Sequence, residues 1–93
     1  MQQPMLEQSI TIINKLGLHA RAAAKLVSTS STYTSKIKIS YNGKEVDAKS
    51  IMSVMMLAAS KGSEVTLHVS GDDEKAAMQA ITDLINNRFD EDE

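Results

Sequence analysis

The sequence predicts an α+β fold in which a four-stranded antiparallel sheet carries three helices on one face, in the order β-α-β-β-α-β-α. Four short segments alternate apolar and polar residues, as half-buried strands do. Three other segments have the composition or the apolar spacing of helices. The pair Asn42-Gly43 separates two of the strands and is a strong signal for a tight hairpin. An antiparallel sheet can leave its second face in water, so a single layer of helices is enough.

The four strands are predicted at residues 6–13, 36–41, 44–48 and 64–70. Because side chains alternate between the two faces of a strand, each segment divides into an inward apolar set and an outward polar set. The inward set is Leu6, Ile10, Ile12, Ile37, Ile39, Tyr41, Val46, Ala48, Val65, Leu67 and Val69. The outward set, which we expect to meet water, includes Ser9, Thr11, Lys38, Glu45, Thr66 and His68.

The three helices differ in character. The first is predicted from residue 19 to about 32, where four alanines raise the helix propensity, and its inward face is Ala23, Leu26, Val27 and Ser30. The second covers residues 51–59, after Ser50 as N-cap, and ends at Lys61-Gly62. The third follows the acidic run 72–74 and stops near Asn86-Asn87. Its apolar stripe is Ala77, Ala80, Ile81, Leu84 and Ile85.

Length and composition limit the class of protein. A chain of 93 residues is predicted to be one domain, residues 1–93, with an ordered core of about 6–89 and loose ends at 1–5 and 90–93. The absence of cysteine excludes disulfide scaffolds, zinc-thiolate sites and thiol catalysis, and it favours a cytoplasmic location. The longest apolar stretch, 51–59, is too short to cross a bilayer, and the N-terminus lacks the features of a signal peptide. We therefore expect no direct membrane insertion.

The net charge of −2 conceals an asymmetry along the chain. Residues 1–71 contain eight Lys or Arg against four Asp or Glu, a net +4, whereas residues 72–93 contain two against eight, a net −6. The basic part favours an acidic partner surface or phosphate groups. A solvated surface with an acidic tail explains the same numbers. A pI of about 5.6 and only three aromatic residues argue against a nucleic-acid partner.

His19 is the residue most suited to chemistry. It lies between a glycine-containing loop and the first turn of the alanine-rich helix, where the free N–H groups of Ala20 and Arg21 and the helix dipole form an anion site. The same dipole favours a neutral, nucleophilic imidazole. Arg21 adds a fixed positive charge with bidentate donors, which suits phosphate. A histidine at a helix start also occurs simply as a cap, and the pattern leaves both functions open. His68 is interpreted as a surface strand residue.

The second helix is apolar on nearly all sides. Val54, Leu57 and Ala58 are predicted to pack on the sheet, and Ile51, Met52 and Met55 to form an exposed patch that marks a partner surface. The alternative is a fully buried helix.

The sequence contains no metal-ligand spacing and no phosphate-binding glycine motif, so we expect no metal and no cofactor. An acyl carrier is excluded, because that family has Asp where Lys49 precedes Ser50.

Two segments resemble one known family. Gly17-Leu18-His19-Ala20-Arg21, followed by residues 23–27, resembles the active-site segment of the HPr family, the histidine-containing phosphocarriers of the bacterial phosphoenolpyruvate-dependent phosphotransferase system. Residues 49–55 resemble the regulatory-serine segment of that family, and residues 59–62 its following turn. Both occur at the family's mutual spacing. The resemblance covers about residues 6–89, including the order of strands and helices.

The resemblance implies an HPr-like open-faced β-sandwich and a carrier rather than an enzyme. His19 would accept a phosphoryl group on Nδ1 from Enzyme I and pass it to a histidine of an EIIA-type protein. Arg21 and the backbone N–H groups of Ala20 and Arg21 would stabilise the group. Ser50 matches the serine that a dedicated kinase phosphorylates in part of the family, which implies a serine kinase/phosphorylase as a further partner. The implied partner interface is Ile51, Met52, Met55 and Ala24.

Ala22 departs from the family pattern, which usually has proline directly after the active-site arginine. Ala22 retains an N–H that proline lacks, which adds one free donor near the phosphate. The acidic end, FDEDE, is similar to that of proteobacterial members, including the nitrogen-related branch, and the sugar and nitrogen branches stay open. The main alternative is a non-transferring regulatory module of the same fold that acts through the Ser50 face. Such modules commonly lack the active histidine, and His19 is present.

Overall fold

The computed structural model describes residues 5–93, and its element order confirms the prediction. The elements are β1 (Leu6–Thr11), α1 (Ala20–Ser31), β2 (Lys36–Tyr41), β3 (Lys44–Asp47), α2 (Ile51–Met56), β4 (Glu64–Ser70) and α3 (Glu74–Asn86), and a 3-10 turn (Arg88–Asp90) follows α3. The boundaries of β1, β3 and α1 differ from the predicted ones by one or two residues. Of the predicted loose segment 1–5, residues 1–4 lie outside the described residues. Within residues 5–93, no helix is both long and apolar enough for a membrane span.

All four strands form one antiparallel sheet with the order β1-β4-β2-β3. Ile39 of β2 is paired with Leu67 of β4 on one side and with Val46 of β3 on the other. This register places the apolar set of every strand on the same face. The largest fully buried side chains are those of Phe89, Ile12, Leu26, Ile37, Ile39, Leu67, Ile81 and Ile85. The core thus lies between the sheet and a single layer of helices.

The β2–β3 connection has the predicted hairpin geometry. Asn42 and Gly43 both have positive φ, 53° and 83°. A type I′ turn requires positive φ at both central residues, which is why Asn-Gly is favoured there.

The second helix is shorter than predicted, and the sequence-based assignment of its end is wrong. α2 stops at Met56, because Leu57 and Ala58 donate to carbonyls only three residues back, and Ala58 then takes a positive φ of 53°. Ala58 is consequently exposed rather than packed on the sheet, and Ala59 is buried instead. Lys61-Gly62 belongs to a separate turn that follows the helix.

The third helix is confirmed, with a shifted inward face. Its buried positions are Ala77, Met78, Ile81, Thr82 and Ile85, whereas the predicted Ala80 and Leu84 are only partly buried.

Asp73 is the N-cap residue of α3, but its side chain makes no capping hydrogen bond to that helix. Its carboxylate accepts hydrogen bonds from Thr34 N–H at 2.9 Å, from Ser35 N–H at 2.9 Å and from Ser35 Oγ at 2.5 Å. The bonds from the Ser35 hydroxyl and from Thr34 N–H lower the pKa of Asp73 from 3.8 to about 2. The carboxylate therefore ties the start of β2 to the start of α3.

Residues 90–93, which the sequence predicts to be loose, follow directly after a buried residue and lie near the start of α1. Phe89 is completely buried and anchors the chain after α3, and Arg88, Phe89 and Asp90 all have positive φ, which turns the tail back toward α1. Asp90 Oδ2 then lies 3.2 Å from Lys25 Nζ of α1. In sequence, a run of acidic residues has the composition of a solvated tail. In the structure, the buried ring of Phe89 determines the position at which this run leaves the core.

Candidate functional site

His19 stands at the N-cap of α1, where its backbone is extended (φ −80°, ψ −179°). Its carbonyl oxygen accepts the first helical bond, from Ala23 N–H at 2.8 Å, and its ring Nδ1 accepts a bond from Arg21 N–H at 3.3 Å. The residue thus does cap the helix, which is one of the two functions that the sequence leaves open. The site remains suited to an anion, because the N–H groups of Ala20 and Arg21 in the first turn have no intrahelical acceptor.

The loop before His19 is held closely against the segment after α2. Gly17 has φ +68°, and a Cβ on it would lie 2.6 Å from the carbonyl oxygen of Ala59. The next residue, Leu18, is buried and donates its N–H to that same oxygen at 2.9 Å. The side chain of Asn14, itself fully buried, donates to the carbonyl of Gly17 at 2.8 Å. The backbone that presents His19 is therefore fixed from two sides.

Glu91 is a site residue that the sequence analysis missed. Its Oε2 lies 2.6 Å from His19 Nε2, and its Oε1 accepts a bond from Asn14 Nδ2 at 3.1 Å. The Glu91 side chain is only 12% exposed. Burial by itself raises the pKa of Glu91, but the hydrogen bonds from Asn14 and His19 and the positive charge of Arg21 lower it, and the pKa lies below its ordinary value. Four consecutive acidic residues end the chain, and sequence alone does not distinguish the one that turns inward.

The two contacts of the imidazole specify one neutral tautomer. A carboxylate only accepts hydrogen bonds, so the proton between His19 and Glu91 is carried by Nε2. A backbone N–H only donates, so Nδ1 presents its lone pair to Arg21 N–H. This assignment follows from the partners, which is how ring protons are located. The ring nitrogen that carries no proton is therefore Nδ1, at the start of α1.

The other predicted site residues of α1 are accessible. Arg21, Ala20 and Ala24 are exposed. Within residues 5–93, no hydrogen bond or ion pair engages the guanidinium of Arg21. Its charge nevertheless acts on the site, since it contributes to the lowered pKa of Glu91.

His68 lies on the sheet face opposite the helices, as its alternation predicts. Its side chain is covered more than expected for a surface residue, with 15% exposed, because Ser40 Oγ lies 3.1 Å from Nε2 and Glu7 and Glu45 lie beside the ring. Its contacts are with these strand residues and not with His19.

Ser50 is the N-cap of α2, as predicted. Its Oγ accepts a bond from Ser53 N–H at 3.5 Å and donates one to Ser53 Oγ at 3.0 Å. Ser50 is half-buried and directly precedes Ile51 and Met52 at the N-terminal end of α2.

The exposed apolar patch is present, and the alternative of a fully buried α2 is wrong. Ile51 and Met55 are 39% exposed and Met52 is 70% exposed. Met56, which the sequence pattern did not predict as part of this patch, is 70% exposed as well. α2 packs against α1, the helix whose N-cap is His19.

Within residues 5–93, no three His, Asp or Glu side chains are arranged to hold a metal ion. The fold and the site together define a class of protein: a small open-faced α+β domain with a partly exposed histidine at the N-cap of its first helix.

Comparison with known proteins specifies the family. The family model described as "PTS HPr component phosphorylation site" matches residues 6–87. The phosphocarrier protein HPr of Cupriavidus necator is 60% identical over 89 residues, 96% of this chain and 100% of that protein. The corresponding protein of Pseudomonas aeruginosa is 56% identical over 91 residues, 97% of this chain and 99% of that protein. The crystal structure of HPr-C-His from Thermoanaerobacter tengcongensis has a TM-score of 0.91 at 46% identity, covering 95% of this chain and 99% of that chain.

The chain belongs to the HPr family of the phosphotransferase system. It is a phosphocarrier rather than an enzyme, and the predicted HPr-like fold is confirmed. Membership of the family implies partner proteins of the phosphotransferase system.

Proposed function

We propose that the chain carries a phosphoryl group on Nδ1 of His19, which it accepts from Enzyme I and passes to an EIIA-type protein. The observation that supports this most directly is the orientation of the imidazole. Nε2 is occupied by Glu91 at 2.6 Å, whereas Nδ1 presents its lone pair at the start of α1. A group bonded to Nδ1 would be surrounded by helix N–H donors, and the positive end of the helix dipole favours a dianion there.

The transfer step needs little covalent machinery from the chain. The Nδ1 lone pair attacks the phosphorus of the phosphoryl group on the donor, and the bond between that phosphorus and the donor breaks with its electron pair returning to the donor atom. Arg21 N–H loses its acceptor when Nδ1 forms the new bond, and so becomes free to donate to a phosphoryl oxygen. The guanidinium of Arg21 supplies further charge to those oxygens. Onward transfer to the EIIA-type protein is the same step in reverse direction, and both steps depend on positioning and electrostatics.

The docking surface that we propose is the patch of Ile51, Met52 and Met55 with Ala24 of α1. These side chains are exposed on two helices that pack against each other, one of which has His19 as its N-cap. A shared surface implies that Enzyme I and EIIA-type proteins compete for the carrier. Ser50 caps the helix that bears the patch, so a phosphate placed there by a serine kinase would add negative charge beside the docking surface. The family resemblance favours the cytoplasm as the setting.

The test is phosphorylation of purified protein by Enzyme I and phosphoenolpyruvate, followed by intact mass. The wild type and His68→Ala should each gain one phosphoryl group that is lost in acid and retained in base, as a phosphoramidate is. His19→Ala should gain none. Labelling that survives in His19→Ala would overturn the assignment of the acceptor.

A further inference from the structure

We propose that Glu91 is a positioning residue, which holds the imidazole of His19 in the Nε2–H tautomer so that Nδ1 is ready to take the phosphoryl group. This inference rests on the proposed function of His19, and it concerns a residue of the C-terminal tail rather than of the His19 loop. A carboxylate that accepts from one ring nitrogen selects the tautomer in which the other nitrogen is unprotonated.

The geometry of the contact is that of a strong, charge-assisted hydrogen bond. The Nε2–Oε2 distance is 2.6 Å, and both side chains are largely covered, with 28% of His19 and 12% of Glu91 exposed. At the other end of the ring, Arg21 N–H requires an unprotonated Nδ1. The two partners therefore favour the same tautomer from opposite sides of the imidazole.

Glu91 is held in place by more than the bond to His19. Asn14 bridges the loop and the tail, because its Nδ2 donates both to Gly17 O at 2.8 Å and to Glu91 Oε1 at 3.1 Å. Phe89, two residues earlier, is completely buried. Beyond Glu91, the backbone carbonyl of Glu93 accepts from Lys15 N–H at 3.1 Å. The carboxylate is thus oriented by a buried amide and by anchors on either side of it in the chain.

The tautomer matters for the chemistry of the transfer. A ring protonated on Nδ1 would have to lose that proton before Nδ1 could attack phosphorus. With the proton on Nε2, attack needs no prior proton movement, and the ring of the phosphorylated state keeps its Nε2–H. On onward transfer the N–P bond breaks and its electron pair returns to Nδ1, so the leaving group is a neutral imidazole rather than an anion. The Glu91 carboxylate supports that proton throughout, and it lies on the ring nitrogen opposite the phosphoryl group.

Two isosteric variants separate this function from a general effect of charge in the tail. In Glu91→Gln the amide oxygen can face only one of its two neighbours: if it accepts from Asn14, the N–H₂ faces His19 and donates to an unprotonated Nε2, and if it accepts from Nε2–H, the bond from Asn14 is lost. Asp92→Asn removes the same charge one residue further along, at an exposed side chain. The first measurement is nitrogen-15 NMR of His19 in the unphosphorylated protein, at a pH where the imidazole is neutral. The second is the initial rate of phosphoryl transfer from Enzyme I.

We expect the wild type and Asp92→Asn to show the Nε2–H tautomer and to be phosphorylated at the same rate within about two-fold. Glu91→Gln should show a mixture with the Nδ1–H tautomer, and its transfer rate should fall by about ten-fold, on the scale of losing a residue that orients a functional histidine. An unchanged tautomer in Glu91→Gln, or a shifted tautomer with an unchanged rate, would overturn the inference. The NMR comparison needs no phosphoryl donor, so it decides the influence of Glu91 on the tautomer even if the wild type is not phosphorylated, an outcome that would instead refute the proposed function.

Discussion

The backbone N–H of Leu18 donates a 2.9 Å hydrogen bond to the carbonyl oxygen of Ala59. This bond joins the residue before the functional histidine to the segment that follows α2. It accounts for the early end of that helix, because a helix continued through Ala59 would direct the carbonyl along the helix axis rather than toward Leu18. It also links the position of His19 to the helix that bears the exposed apolar patch.

Gly17 should not tolerate a side chain, because a Cβ there would lie 2.6 Å from Ala59 O and 2.7 Å from Ser60 Cα, both backbone atoms. We expect Gly17→Ala to lower the free energy of unfolding by about 1–2 kcal/mol because of the positive φ. The steric overlap should lower it by roughly 1–3 kcal/mol more. Because the displaced loop carries His19, the rate of phosphoryl transfer should fall as well. Urea unfolding and the transfer rate measure the two effects.

The matched control for this prediction is Gly62→Ala. Gly62 also has a positive φ, +92°, but a Cβ on it would have no neighbour within 4 Å. Gly62→Ala should therefore lose only the stability that its positive φ costs, and its rate of phosphoryl transfer should be normal. Equal losses of stability and activity in the two variants would mean that the close approach of Gly17 to Ala59 is not important.

The parts of the fold that were predictable from the sequence are those that depend on local patterns. Alternation in β4 and the Asn42-Gly43 pair are properties of a few neighbouring residues, and the structure confirms both. The end of α2 was not predictable, since it depends on a carbonyl bond to Leu18, which is some forty residues earlier in the chain. For the same reason the site was predicted only in part: His19 lies in a recognisable segment, whereas Glu91 reaches it from the other end of the chain.

Asp73 should make the stability of the fold depend on pH in the acid range. Its pKa is about 2 in the folded protein and 3.8 ordinarily, so folding favours the ionised form. That contribution is complete above about pH 4 and is lost as the pH falls from there toward 2. In Asp73→Asn, an amide N–H₂ replaces an acceptor oxygen opposite the N–H of Thr34 or Ser35. We expect a lower melting temperature than wild type at pH 7 and a difference that narrows between pH 4 and pH 2. A difference that stays constant over that range would contradict this function of the carboxylate.

Arg21 should affect transfer and not folding, because its side chain is exposed on the first turn of α1. Arg21→Ala should slow phosphoryl transfer by about one to two orders of magnitude, which corresponds to the loss of a charge-assisted contact of ~1.5–3 kcal/mol. Arg21→Lys should be intermediate, since it keeps the charge without the bidentate geometry. Transfer rates and melting temperatures of the three proteins test this. A large fall in melting temperature with normal transfer would show that the residue is structural.

Met52 should be important for docking and dispensable for folding, since its side chain is 70% exposed in the patch on α2. Met52→Glu should raise the KM for both Enzyme I and the EIIA-type protein by about ten-fold, as expected for a central apolar contact. Met5→Glu is the control, because Met5 is also exposed, at 55%, but precedes β1. If Met52→Glu affects neither partner, or only one of them, the patch is not the shared surface that we propose.

A negative charge introduced at Ser50 should inhibit phosphoryl transfer by weakening docking of the partner proteins. Aspartate is as good an N-cap as serine, so Ser50→Asp should keep α2 intact, whereas Ser50→Ala should lose about 1 kcal/mol of stability and stay active. The added charge would stand directly before Ile51 and Met52 of the patch.

The net charge of +4 on residues 1–71 favours partners with acidic surfaces. Such a surface repels a desolvated carboxylate or phosphate. We therefore expect Ser50→Asp to slow phosphorylation of His19 by about ten-fold or more at low salt, and rising salt to reduce the difference from wild type by screening. Equal rates for Ser50→Asp and wild type at low salt, where repulsion is least screened, would rule the switch out.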